Sequence, residues 1–181
     1  MNFVKTEIED VWIIEPQVFK DGRGYFYESY NKAAFDAVVG EVDFIQDNQS
    51  HSMRGVLRGM HYQQGEASQA KLVRVLQGSV LDVAVDLRKS SPTFGKYVAV
   101  ELSDENHRQL FIPRGFAHGF LVLSDTATFA YKVDNPYCKA AEVSLAYDDA
   151  TIAINWPVLP EGFLLSEKDR QALSLHEVPT F

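Results

Sequence analysis

Short runs rich in Val, Phe, Tyr and Leu alternate with polar residues along almost the whole chain, and Gly, Pro, Ser or Asp cut them at close spacing. A period of two is strand sequence, because successive side chains of a pleated backbone point to opposite faces. It is cleanest from Val80 to Leu87, where Leu81, Val83, Val85 and Leu87 share one face and Val80, Asp82, Ala84 and Asp86 the other. The same reading predicts strands over 11–14, 25–29, 44–48, 56–63, 71–76, 97–102, 109–112, 116–123, 126–133 and 142–146. Only 31–39 and 166–173 suggest helix, the second behind a Ser-x-x-Asp opening at Ser166 and Asp169. No linker, low-complexity segment or fixed-period repeat interrupts the pattern. Many short antiparallel strands in 181 residues predict an all-β fold, a sandwich or jelly-roll barrel, as one domain spanning 1–181.

Composition narrows the class without changing it. With 46% hydrophobic and 23% charged residues, the chain reads as a globular protein able to bury a core without staples. The one cysteine, Cys138, has no partner for an internal disulfide, which points to a reducing compartment. Glu7, Glu9 and Asp10 stand where a signal peptide would carry a basic flank and an apolar run. No uncharged apolar stretch approaches the roughly 18 residues of a membrane span. A cytoplasmic location is therefore expected. The net charge of −8 disfavours nucleic acid and anionic membranes as partners, since both repel an acidic surface. A phosphorylated small molecule is still compatible, given a few locally gathered cations.

The candidate chemistry lies in two glycine-flanked stretches. Gly55-Val56-Leu57-Arg58-Gly59-Met60-His61-Tyr62-Gln63, followed by Gln69-Ala70-Lys71-Leu72-Val73, sets an imidazole, a guanidinium and an ammonium close together on strand-like sequence. The second histidine, His118, lies in Pro113-Arg114-Gly115-Phe116-Ala117-His118-Gly119-Phe120. A small barrel can point two such histidines into one cavity, and a base with cations there predicts proton chemistry on a small anionic ligand. Arg58 and His61 are three apart, so a regular strand sends them to opposite faces; Gly59 between them allows the bulge that would reconcile them. Each residue also has a structural reading. His118 shares a face with Phe116 and Phe120 and is equally a core histidine, with Asp82 as a candidate partner. Lys71 alone is a solvated strand-end charge. Tyr131 alone is a barrel tyrosine with its hydroxyl at the rim. Asp169 serves a helix start as readily as a site.

The ordered series Asp21-Gly22-Arg23-Gly24-Tyr25-Phe26-Tyr27-Glu28, Gln46-Asp47-Asn48-Gln49-Ser50, the two histidine stretches, Asp82 to Arg88, Ser91-Pro92-Thr93-Phe94-Gly95 and Ser166-Glu167-Lys168-Asp169 resembles the dTDP-4-dehydrorhamnose 3,5-epimerase family over nearly the whole chain. The resemblance implies a cupin-type jelly roll, the double-stranded β-helix barrel, that inverts C5 and then C3 of dTDP-4-dehydro-6-deoxy-D-glucose through enolates. It implies His61 as base, Lys71 as the cation against the enolate, Tyr131 as the acid on the other face and Asp169 as the carboxylate that orients His61. It further implies substrate contacts from Gln46, Asn48, Arg58 and His118, with Tyr137 stacking on the thymine. In the homodimer it implies, Arg23, Phe26 and Glu28 of the N-terminal segment reach the partner's site. Phe111 stands where a tryptophan is common and Met60 where a leucine is. No cofactor is implied. A metal is not expected either: Gln63 occupies the place of the second histidine of a cupin metal motif, which leaves fewer than the three protein ligands usual for catalytic zinc. Two alternatives stay open, a 3- or 5-mono-epimerase of a related nucleotide sugar and a non-enzymatic sugar-binding cupin.

Overall fold

A computed structural model describes residues 1–181. Thirteen strands and two short helices follow one another as β1 (Asn2–Lys5), β2 (Trp12–Glu15), β3 (Phe19–Asp21), β4 (Gly24–Phe26), α1 (Lys32–Asp36), β5 (Gln46–Met53), β6 (Leu57–Gln63), β7 (Lys71–Gln77), β8 (Ser79–Asp86), β9 (Tyr97–Ser103), β10 (Gln109–Ile112), β11 (Phe116–Val122), β12 (Thr126–Val133), β13 (Glu142–Ser144) and α2 (Glu167–Arg170). No helix is long and apolar enough to cross a membrane. The strands form a six-stranded sheet in the order β1-β2-β10-β7-β12-β5 and a five-stranded sheet in the order β13-β6-β11-β8-β9. Every pairing within them is antiparallel. This is the expected cupin-type jelly roll. β3 and β4 stand apart as a separate hairpin.

The period-two pattern is resolved by three apolar layers. Between the sheets, Val73, Val75, Leu110 and Phe129 of the larger one meet Val80, Ala84, Phe116, Phe120 and Val122 of the smaller. Behind the smaller sheet, Met60, Tyr62, Val83, Val85 and Leu87 pack under Leu145, Ile152, Leu175 and Val178. Behind the larger, Ile14, Leu72 and Phe111 are covered by Phe35 of α1. Fully burying a side chain of this size is worth about 1.5–3 kcal/mol. Both faces of β8 are therefore interior, and its acids Asp82 and Asp86 are fully buried.

Most predicted strands have their counterparts, and three differences have physical reasons. The strand predicted over 44–48 runs instead from Gln46 to Met53, a polar edge strand without hydrophobic alternation. β1 and β3 were not expected: the first pairs only with β2 at the sheet edge, and the second only with β4. Both helices are shorter than predicted. Asn31 caps α1, its side chain accepting from the Ala34 amide, and Ser166 caps α2 in the same way through the Asp169 amide.

Candidate active site

One end of the inter-sheet space opens into a cavity of about 470 Å³, of the size of a small-molecule site. Its lower wall is a stacked pair of rings, Phe120 and Phe129, with centroids 4.2 Å apart. β6 and β11 contribute the next layer through an irregularity. His61 pairs with His118, yet Arg58 pairs with Phe120, so three steps on β6 match two on β11. The extra residue reverses the pleat parity, and Arg58 and His61 both reach the cavity. Glycines make this possible on both strands. Gly59 has φ +129°, and a Cβ there would lie 2.5 Å from the Gly119 Cα. The tension read from the sequence is relieved as Gly59 suggested.

His61 is the half-buried member of a dyad whose other member, Asp169, is buried. Its Nε2 lies 2.5 Å from Asp169 Oδ1, and the second carboxylate oxygen accepts from the Ser166 hydroxyl at 2.7 Å. Burial alone would raise the Asp169 pKa, but the hydrogen bonds from His61 and Ser166 hold it below the ordinary carboxylate value. With Asp169 ionised, the proton belongs on Nε2 and leaves Nδ1 with a lone pair. The two readings of Asp169 turn out to be compatible. Its amide takes part in the α2 cap while its carboxylate holds the imidazole. The carboxylate is not carried by a barrel strand. Residues 164–173 form a strap across β6 and β13, held at one end where Leu164 donates to the Gly55 carbonyl at 2.8 Å and at the other where Leu173 donates to Ser144 at 3.0 Å.

The facing sheet brings Lys71 and Tyr131. Lys71 opens β7 opposite Val133, and Tyr131 lies across from Val73, so both share the inner face of the six-stranded sheet. Lys71 makes no ion pair. Burial lowers its pKa to about 8; Asp82 and Glu142 oppose that shift, and Lys168 adds to it. Burial also raises the Tyr131 phenol, with Arg58 pulling the other way, which keeps the hydroxyl protonated at neutral pH. His118 is a second imidazole–carboxylate pair, its Nε2 at 2.9 and 3.1 Å from the two oxygens of buried Asp82. Burial pushes the His118 pKa down and Asp82 opposes it. The suspected Asp82 contact is therefore present.

Six of the expected residues, Arg58, His61, Lys71, His118, Tyr131 and Asp169, line this one cavity. The others do not. Arg23 and Phe26 lie on the exposed β3–β4 hairpin, where Arg23 pairs only with Asp21 and Phe26 is 70% exposed. Glu28 accepts from Asn31. Gln46 and Asn48 bond to each other at 2.7 Å, on the same face of β5 as cavity-lining Ser50 but further along the strand. Tyr137 sits in the loop before β13, its hydroxyl donating to Glu142 at 3.1 Å. Gln63 is fully engaged with backbone, donating to Ala67 and Pro136 and accepting from Cys138. Sequence reasoning missed Ser52, which accepts from Arg58 Nε at 3.0 Å, and Lys168, which lines the cavity while paired with Glu142 at 2.8 Å. Lys168 adjoins Asp169, which was its only signal.

Known proteins resemble this chain over nearly its whole length. The family described as dTDP-4-dehydrorhamnose 3,5-epimerase matches residues 5–177. The chain is 58% identical over 170 residues to a dTDP-4-dehydrorhamnose 3,5-epimerase of Shigella flexneri, covering 93% of each. It is 53% identical over 179 residues to the enzyme of that name from Escherichia coli (strain K12), covering 98% of this chain and 96% of that one. A crystal structure of dTDP-6-deoxy-D-glucose-3,5-epimerase from Legionella pneumophila Philadelphia 1, in complex with dTDP-4-keto-L-rhamnose, superposes with a TM-score of 0.94 at 50% identity, covering 98% of this chain and 94% of that one.

Proposed function

The chain belongs to the dTDP-4-dehydrorhamnose 3,5-epimerase family and is an isomerase of dTDP-sugars, and we propose that its single domain works as follows. Both inverted carbons of dTDP-4-dehydro-6-deoxy-D-glucose flank the C4 ketone, so one carbonyl acidifies each proton. His61 removes it through the nitrogen not bonded to Asp169, and Asp169 stabilises the imidazolium that forms. The Lys71 ammonium faces the oxygen on which the enolate charge develops, in a cavity where that charge has little water to stabilise it. Tyr131 returns a proton to the opposite face, first at C5 and then at C3. Arg58, aligned by Ser52, takes the diphosphate through its planar fork, with Gln46, Asn48 and His118 as further substrate contacts. One observation carries this reading: His61 and Tyr131 enter the same cavity from opposite sheets, as a base and an acid on two faces of one sugar must.

The exposed hairpin completes the proposal. Phe19, Tyr25 and Phe26 are all more than half exposed on it, beside Arg23. Apolar rings in such a setting suit an interface between copies of the chain. In the homodimer we propose, the hairpin and the adjoining Glu28 reach the partner's cavity, and Tyr137 closes over the nucleotide from the near side. Turnover in deuterated water tests the chemistry, with the product trapped by a ketoreductase. Solvent deuterium should appear at both C3 and C5 of an L-sugar. Label at one carbon alone would replace the double epimerase by a mono-epimerase.

A further inference from the structure

The Asp86-Leu87-Arg88 and Ser91-to-Gly95 motifs have no part in the catalytic cavity, and they build one wall of a second groove. Asp86 is fully buried at the end of β8. Its Oδ1 accepts from the Arg88 amide at 2.9 Å and Arg88 Nε at 3.0 Å. Its Oδ2 accepts from Arg88 Nη2 at 2.9 Å, the Ser91 hydroxyl at 2.6 Å and the Thr93 hydroxyl at 2.7 Å. Burial works to raise this carboxyl, and the donors outweigh it and hold the pKa below the ordinary value. The turn from β8 to β9 is thereby fixed around a charge that Arg88 compensates. A second buried carboxylate fixes the opposite wall. Asp149 accepts from the amides of Thr151 at 2.8 Å, Ile152 at 3.0 Å and Leu175 at 2.8 Å, tying two separate stretches of the C-terminal segment together.

Between these walls lies a groove of about 460 Å³ that shares no lining residue with the catalytic cavity. Lys89 and Lys96 line it, and neither makes an ion pair, in a chain whose net charge is −8. His176 lines it too, and Glu177, next in sequence, is turned to the Ser174 amide and hydroxyl. Phe94 offers a partly exposed ring beside Leu175. Two free ammonium groups, an imidazole and an aromatic surface on two rigid walls are complementary to a phosphate joined to a flat ring. We propose that this groove binds a nucleotide-type organic phosphate, with the phosphate between Lys89, Lys96 and His176 and the ring against Phe94.

The test is an amide-resolved NMR titration of the full chain with two probes, inorganic pyrophosphate and adenosine diphosphate. Both should move the Lys96, Thr151 and His176 amides saturably, the nucleotide at lower concentration. The double variant K89A/K96A loses two charge-assisted donors and should bind either probe about tenfold more weakly or worse. F94A should erase the advantage of the nucleotide over pyrophosphate. Turnover, which draws on the other cavity, should be unchanged in all variants and so reports that they are folded. Groove amides that never saturate, or saturation undiminished in K89A/K96A, would overturn the site. A nucleotide advantage that survives F94A would overturn the placement of the ring.

Discussion

At the scale of single residues, the proposed mechanism separates proton transfer from charge stabilisation, and the two respond to different perturbations. His61→Ala removes the only imidazole held by Asp169 and should lower turnover by about 10²–10⁴-fold, while dTDP binding measured by calorimetry stays close to native. Equal losses in binding and turnover would make His61 a ligand contact instead. In that mechanism Lys71 works through its charge, and its pKa, lowered by burial to about 8, sets a pH limit. The ammonium is present below that value and is lost as pH rises through it, so kcat/KM should fall on the alkaline side near pH 8. Asp82 on β8 and Glu142 on β13 favour the ammonium, and Lys168 on α2 disfavours it. Asp82→Asn removes the larger favourable influence, so the alkaline limb should move to lower pH. A limb that stays in place while the rate drops would restrict Asp82 to holding His118.

At the scale of elements, the bulge between β6 and β11 is the feature on which two site residues depend together. A Cβ on Gly119 would lie 2.7 Å from both the Arg58 carbonyl and Met60 Sδ. Gly119→Ala should therefore cost about 1–3 kcal/mol of stability by overpacking, read as a lower midpoint in urea, and should weaken diphosphate binding and proton transfer at once because Arg58 and His61 shift together. Loss of stability with native kinetics would show that the bulge tolerates the methyl. Much of this layer was legible. The strands carrying Arg58, His61, Lys71, His118 and Tyr131 stand out as short runs rich in Val, Phe, Tyr and Leu between turn residues, and Gly59 marked the irregularity on β6. The illegible parts share a cause. β5 lines the cavity with Gln49 and Ser50, and its run of Gln, Asp, Asn and Ser has no apolar rhythm. Asp169 rides on a strap whose hold on β6 and β13 is made by backbone hydrogen bonds, which leave no signature in side-chain pattern. Lys168 belongs to the same strap and was hidden for the same reason.

At the scale of the whole molecule, the isolated chain gathers His61, Tyr131 and the cations Arg58, Lys71 and Lys168 in one cavity but leaves the Arg23, Phe26 and Glu28 segment outside it. The residues of that segment have little to do within their own chain. Arg23 is paired with an acid two positions away in a fully solvated setting, where such a pair contributes little, and the Phe26 ring is mostly in water. If the hairpin serves the partner's cavity, catalytic and arm residues of one working site belong to different chains. Neither His61→Ala nor an Arg23→Ala/Phe26→Ala variant should then turn over well alone. After the two are mixed and subunits are allowed to exchange, a heterodimer contains one site with native His61 from one chain and a native arm from the other. Activity should reappear on mixing and grow with exchange time. Its kcat/KM per restored site should approach that of the unmutated enzyme. An arm acting within its own chain predicts the opposite, because every site in the mixture would then lack either His61 or its arm, and no activity would return however completely the subunits exchanged.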